Sequence, residues 1–192
     1  MIRSQAFVRL AVAAAFVTGA TIGALTCPTP VLAQPAGREA PFGDRAGSLA
    51  VNYTRIKPHI ATAGVLKNGA AQGLKALGFA TIVDLRGPDE GAAFEKTIVE
   101  EAGLRYVNIP VTSGAPTEAQ IAEFARIVED ARNAPLLVHC VTANRVGAMW
   151  ALYRAQKGIP VLIALEEGRT IGLQPDREAE LHKRLEQPSS AR

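Results

Sequence analysis

The segment His139-Cys140-Val141-Thr142-Ala143-Asn144-Arg145 puts a cysteine and an arginine on one short stretch, with small or polar residues between them. A continuous apolar run, Pro135 to Cys140, precedes it, and a helical pattern starts at about Arg145. A cysteine that ends a strand just before a tight turn and a helix start lies where backbone N–H groups converge. Such groups cradle an anion. Their dipoles and a nearby guanidinium favour the thiolate, which is the nucleophilic form of cysteine. Arg145 offers a planar fork to two oxygens of phosphate or a related oxyanion. The plain structural alternative is a small buried hydrophobe beside a helix start.

The remaining sequence shows which elements would hold that segment in place. Thr81-Ile-Val-Asp84 sits in an apolar run, Phe79 to Leu85, and Arg105 to Val111 reads as another strand. A further extended stretch lies between Arg55 and Ala63. Helical patterns cover 68–77, 90–102, 145–157, 162–168 and 177–186, with Gly78, Gly103 and Gly158 as stops. Thr117 with Gln120 three residues on is a capping box for another helix, whose Ile121, Phe124 and Val128 share a face. Strand and helix alternate, which predicts a single α/β domain with a mostly parallel central sheet flanked by helices. Ligands of such sheets bind beyond the carboxyl ends of the strands, so the loops after Leu85, Val111 and Val138 are the ones expected to form a site. Met149, Trp150, Leu152 and Tyr153 read as the apolar body of the central helix.

Composition narrows the function classes. At 48% hydrophobic and 20% charged, the chain of 192 residues is neither disordered nor fibrous. Arg3 and Arg9 precede an uncharged run from Leu10 to Leu25, and Val31-Leu-Ala33 suits cleavage before Gln34. The expected organisation is a signal peptide over 1–33, a flexible leader over 34–49, the domain over 50–186 and a tail over 187–192. The protein is then exported, periplasmic or secreted, and not stably inserted in a membrane. Loss of Arg3 and Arg9 brings the net charge of +3 close to neutral, which removes the electrostatic footprint for nucleic acid. Of the two cysteines only Cys140 remains, so no internal disulfide is expected. His59, His139 and His182 lack metal-ligand spacing, and no Gly-rich nucleotide motif precedes a helix; neither metal nor cofactor is expected.

Between Tyr53 and Leu173 the chain resembles the cysteine-dependent tyrosine/dual-specificity phosphatases, and in particular their small bacterial beta-lactamase-hydrolase-like phosphatase-like branch. The resemblance is carried by Ile82-Val-Asp-Leu-Arg86, by Asn108-Ile-Pro-Val111 leading into a Gly-containing loop, and by Val138-His-Cys140 to Arg145-Val-Gly147. It implies the phosphatase fold and a two-step reaction through a phosphocysteine. Cys140 is then the nucleophile, and His139 supports it through hydrogen bonds to the loop. The amides of Val141, Thr142, Ala143, Asn144 and Arg145, with the Arg145 side chain, hold the phosphoryl oxygens.

The chain departs from that pattern in four places. The Cys–Arg loop is one residue shorter than usual, as in rhodanese-type sulfurtransferases. The usual loop glycine is missing, and Asn144 is the loop residue best suited to a left-handed conformation. Val146 stands where many phosphatases place a hydroxyl that helps release the thiolate. The loop from Val111 to Thr117 has no Asp to act as general acid, which leaves Glu118 or Asp89 for that role, with Glu90 beside Asp89 also able to reach the same face. Asp84 is expected to pair with a nearby arginine, and Arg86 to touch the ligand. The expected partner is a phosphorylated substrate or another oxyanion. A persulfide-carrying sulfurtransferase and a low-turnover oxyanion- or phosphopeptide-binding domain stay open beside the phosphatase.

Overall fold

The structure is a computed structural model that describes residues 44–112 and 114–186. Its strands are β1 (Thr54–Lys57), β2 (Ile60–Ala63), β3 (Thr81–Asp84), β4 (Arg105–Asn108) and β5 (Leu136–His139). Its α-helices are α1 (Ala70–Ala76), α2 (Ala92–Glu101), α3 (Glu118–Glu129), α4 (Asn144–Gln156), α5 (Val161–Ile171) and α6 (Pro175–Glu186). The sheet order is β1-β2-β5-β3-β4. β1 runs antiparallel to β2, and the other pairs are parallel. The α/β architecture is the one the alternation predicts, with one refinement. The extended stretch around Ile60 is a hairpin, because the chain turns at Pro58 and His59 and pairs Lys57 with Ile60.

β5 lies between β2 and β3 and is fully buried, so its side chains alternate between two apolar clusters. Leu136 and Val138 join Phe124, Met149, Trp150 and Leu165 on the side of α3 to α6. Leu137 joins Leu74, Phe79, Ile82 and Val99 on the side of α1 and α2. α4 is buried continuously from Val146 to Tyr153, as its all-round apolar sequence demands. The Thr117–Gln120 capping box is present in both directions and starts α3.

Two boundaries differ from expectation. The presumed flexible leader is folded from Asp44 onward: Asp44–Ser48 form a 3-10 turn, and Ala46 and Ala50 are buried in the second cluster. Small apolar side chains there fill space under α1, which outweighs the lack of periodicity. Residues 34–43 of that leader, the signal segment 1–33 and the tail 187–192 lie outside the described residues. The helix expected from Glu90 is broken at Gly91, whose φ of 84° ends a short 3-10 turn (Pro88–Glu90) before α2 begins. Among the described residues, no helix is long and apolar enough to cross a membrane.

Candidate active site

β5 delivers Cys140 to the carboxyl end of the sheet, and α4 leaves from the same point. The turn between them is held from outside. Cys140 N–H donates to Ala63 O at 3.3 Å, Val65 N–H to Val141 O at 2.9 Å, and Asn52 Nδ2 to Thr142 O at 3.1 Å. A trans peptide is planar, with C=O and the following N–H antiparallel. The N–H groups of Thr142 and Ala143 therefore aim away from Val65 and Asn52, toward the inside of the loop. No side chain caps the start of α4. Its first amides, which every helix leaves without an intrahelical acceptor, stay available to an anion. The left-handed residue of the loop is Ala143, at φ 71°, and not Asn144. Asn144 is already helical, and its Oδ1 accepts the Gln174 N–H at 3.0 Å, which ties the loop to the start of α6.

Cys140 is 1% exposed and among the described residues is the free cysteine. Arg145 follows it five residues on, in the first turn of α4. Arg145 is held by several elements at once. Nη1 and Nη2 each lie 2.6 Å from an oxygen of Glu90, and Nη1 also donates to Val111 O at 3.2 Å and Leu85 O at 3.5 Å. The hydrogen bond from Arg145, with a further one from Gly87 N–H, holds the Glu90 carboxyl down at about 2. The Glu90 pair, with burial opposing it, raises the Arg145 guanidinium above its ordinary value. Above the loop opens a cavity of about 440 Å³, lined by Gly87 to Glu90, Val111, Thr112, Thr142, Asn144, Arg145 and Arg177. It lies at the ends of β3, β4 and β5, the three loops expected from the sequence.

The structure brings Arg145, Asp89, Thr142 and Asn144 onto the wall of this cavity, with Cys140 buried at the start of the same loop. Val141 and Ala143 complete the loop, Val141 exposed and Ala143 buried. Two expected site residues lie elsewhere. Glu118 is turned to solvent and takes hydrogen bonds from Arg184 and, at 2.5 Å, from Gln156. Gln156 ends α4, about 16 Å along the helix from Arg145 at 1.5 Å per residue. The helix-start role of Glu118 therefore removes it from the general-acid position. Arg86 is 6% exposed and is consumed behind the loop. It donates to both Asp84 oxygens, pairs with Glu95 at 2.8 Å and bonds the Glu90 carbonyl. It does not line the cavity, so it supports the site rather than touching a ligand there.

His139 belongs to that same buried cluster. Its Nε2 is 2.7 Å from Glu95 Oε1 and 3.8 Å from Asp84 Oδ1, and its Nδ1 is 3.4 Å from Cys140 O. The Nε2–Oε1 contact is short but poorly aligned for a hydrogen bond. A bare ring nitrogen would repel a carboxylate at that distance, so the proton belongs on Nε2. Asp84 is buried, which alone would raise its carboxyl; the Arg86 hydrogen bonds, with His139 and Tyr106, win and hold it below the ordinary range. Asp84, Glu95 and His139 bring one ligand atom each within 4.8 Å of one another. The Arg86 guanidinium bridges the two carboxylates.

Sequence reasoning did not select Arg177 and Glu95, and it weighed Glu90 only as a neighbour of Asp89. Arg177 carried one visible signal: a cation in the first turn of a helix, where the macrodipole disfavours it. Gly91, next to Glu90, carried another, as a break inside a helical pattern.

Comparison with known proteins agrees with the fold and names the family. A comparison with curated proteins returns no match. Among solved structures, a DUF442 protein of Shewanella putrefaciens superposes with a TM-score of 0.58 at 20% identity, over 72% of this chain and 94% of that one. TpbA of P. aeruginosa gives 0.57 at 23% identity, over 69% and 84%. The core catalytic domain of the PP-IP phosphatase SIW14 of S. cerevisiae gives 0.56 at 16% identity, over 71% and 91%. A family model described as "DSP-PTPase phosphatase fused to NAD+ Kinase" matches residues 59–182, from the hairpin turn into α6 and across the whole Cys140 loop. The chain therefore belongs to that dual-specificity-type phosphatase family, within the cysteine-dependent tyrosine/dual-specificity phosphatase superfamily.

Proposed function

We propose that the protein hydrolyses phosphate monoesters through a phosphocysteine on Cys140. The observation that carries this reading is the loop itself: a buried thiol at its start and Arg145 at its end, in a turn whose carbonyls are tied outward and whose amides are left inward. The loop amides and the Arg145 fork hold the phosphoryl oxygens where negative charge builds in the transition state. The thiolate attacks phosphorus, and the P–O bond to the leaving group breaks with its electron pair on oxygen. Asp89, on the cavity wall, supplies the proton to that oxygen. Glu90 is ionised at any working pH and is bound to Arg145, so it orients the fork instead. Water then attacks phosphorus, loses its proton to Asp89, and returns the thiolate.

The test is hydrolysis of p-nitrophenyl phosphate by wild type and by Cys140→Ser, followed by mass spectrometry of the rapidly quenched wild-type protein. Hydrolysis that disappears in the variant, with a phosphate adduct on Cys140, is the expected result. Activity retained by Cys140→Ser overturns the reading. So does thiocyanate formation from thiosulfate and cyanide without phosphate release. Export completes the proposal: the segment 1–33 supports a mature protein that begins near Gln34 outside the cytoplasm. The N-terminal mass of protein recovered from the cell envelope fraction checks it, and an intact Met1 there counts against cleavage.

A further inference from the structure

Arg177 has no part in the reaction just described, yet it lines the same cavity as Arg145, Thr142, Asn144 and Asp89. It is half-buried, in the first turn of α6. A cation there runs against the helix macrodipole and does nothing for helix stability. Two connections fix its place relative to the loop. Its Nη1 donates to the Gly114 carbonyl. The start of α6 is clamped to Asn144 through the Gln174 N–H, one residue before Arg145 in the loop. Burial first, and then the charge of Arg145, push the Arg177 guanidinium below its ordinary value, while Asp176 and Cys140 act the other way. Arg145 is already paired with Glu90, so Arg177 brings a second cation to the cavity wall, and a further negative group beside it is attracted to that charge.

The scissile phosphoryl group already has its partners in the loop amides and the Arg145 side chain. Arg177 comes from a different element and stands on the cavity wall. We propose that Arg177 binds a second oxyanion group of the substrate, so that the enzyme prefers phosphate esters carrying another phosphate or carboxylate near the scissile one. A guanidinium fork suits either group, and charge-assisted hydrogen bonds of this kind are the strong ones. The inference rests on the phosphatase reading of the same site and names its substrate class.

Calorimetric titration of the Cys140→Ser protein separates the two ideas, because binding needs no turnover. Orthophosphate serves as the one-group ligand, and pyrophosphate and phosphonoacetate as two-group ligands with phosphate or carboxylate as the second group. At least one two-group ligand is expected to bind about tenfold or more tighter than orthophosphate, the scale of one charged hydrogen bond. Adding Arg177→Ala removes that advantage and leaves orthophosphate binding close to its starting value. Arg177→Gln, which keeps a donor for the Gly114 carbonyl, does the same and guards against loss of fold. Arg132→Ala, an equal loss of charge at the exposed Asp130 pair, keeps the advantage. The second subsite is overturned if orthophosphate binds and neither two-group ligand binds tighter, or if the advantage survives both Arg177 variants, or if Arg132→Ala abolishes it too. Binding of none of the ligands overturns the phosphate reading of the cradle, and this inference with it.

Discussion

Asp89 and Glu90 are adjacent, both carboxylates and both on the cavity wall, yet their surroundings give them different work. Glu90 is locked to Arg145 and Gly87 N–H and stays ionised down to about 2. Both of its oxygens are taken by Arg145, so neither is turned to a leaving group. Asp89 is exposed beside it on the same wall, and it is the carboxylate proposed as the proton donor. Asp89→Asn is expected to slow phenyl phosphate hydrolysis by about 10²-fold or more, the usual contribution of a positioned acid. p-Nitrophenyl phosphate, whose leaving group departs without a proton, should stay close to wild type. Comparing kcat/KM for the two esters reads this directly. Equal losses on both would show that Asp89 positions substrate and does not protonate it. Glu118→Gln should leave the ratio of the two esters where it is, since Glu118 bonds Gln156 at the far end of α4.

Among the helices, the crossing of α4 and α5 controls how Arg145 is presented. A Cβ on Gly147 would come within 2.5 Å of Gly168 O and 2.7 Å of Leu173 N, and one on Gly168 within 2.8 Å of Gly147 O. Backbone stands on both sides, so nothing can swing away. Gly168→Ala is expected to cost about 1–3 kcal/mol, in the range of an overpacked core, and to lower activity because the displaced helix carries the Cys140 loop at its start. Urea unfolding and kcat/KM measure the two effects. Gly73→Ala is the contrast: its Cβ would meet only side-chain atoms of Leu49, at 2.8 Å, which can rotate. Equal stability loss in both variants would sink the argument from the crossing. The elements themselves were readable in advance, because strand runs, the Thr117 cap and helix stops such as Gly103 and Gly158 are local signals. The Cys140–Arg145 loop was readable for the same reason, being one contiguous motif between a strand and a helix. What escaped were choices made by distant contacts. Ala143 takes the left-handed conformation because outward ties on Val141 and Thr142 bend the loop there, and Asn144 is used by α6 instead. Arg86 looked like a ligand contact because its strand ends on the right side, but Asp84 and Glu95 turn it behind the loop.

Over the whole molecule, the same carboxylates set the response to acid. Asp84 sits in the buried cluster with Arg86, Glu95, His139 and Tyr106, and its carboxyl is held below the ordinary range despite burial. Glu90 is held at about 2 by Arg145, and Glu167 and Glu178 are lowered by Arg154 and Arg169. A carboxyl whose folded value lies below its unfolded value stabilises the fold fully above the unfolded value, about 4 for Asp and Glu. That stabilisation is lost as pH falls through the folded value. The sign is therefore one-sided: thermal stability should be flat from pH 7 to about 5 and fall steeply between about 4 and 2. The exposed pairs contribute little, since solvent screens them. The buried cluster should dominate, because protonating Asp84 leaves the Arg86 charge without its main partner in a place water does not reach. Thermal unfolding followed by circular dichroism across this range gives the curve. In Asp84→Asn the unfolding temperature should be lower at pH 7, and the acid limb shallower. A wild-type curve that declines from pH 7 to 5 would instead place the sensitivity on histidine, and a curve flat to pH 2 would remove the buried ion cluster as a source of stability.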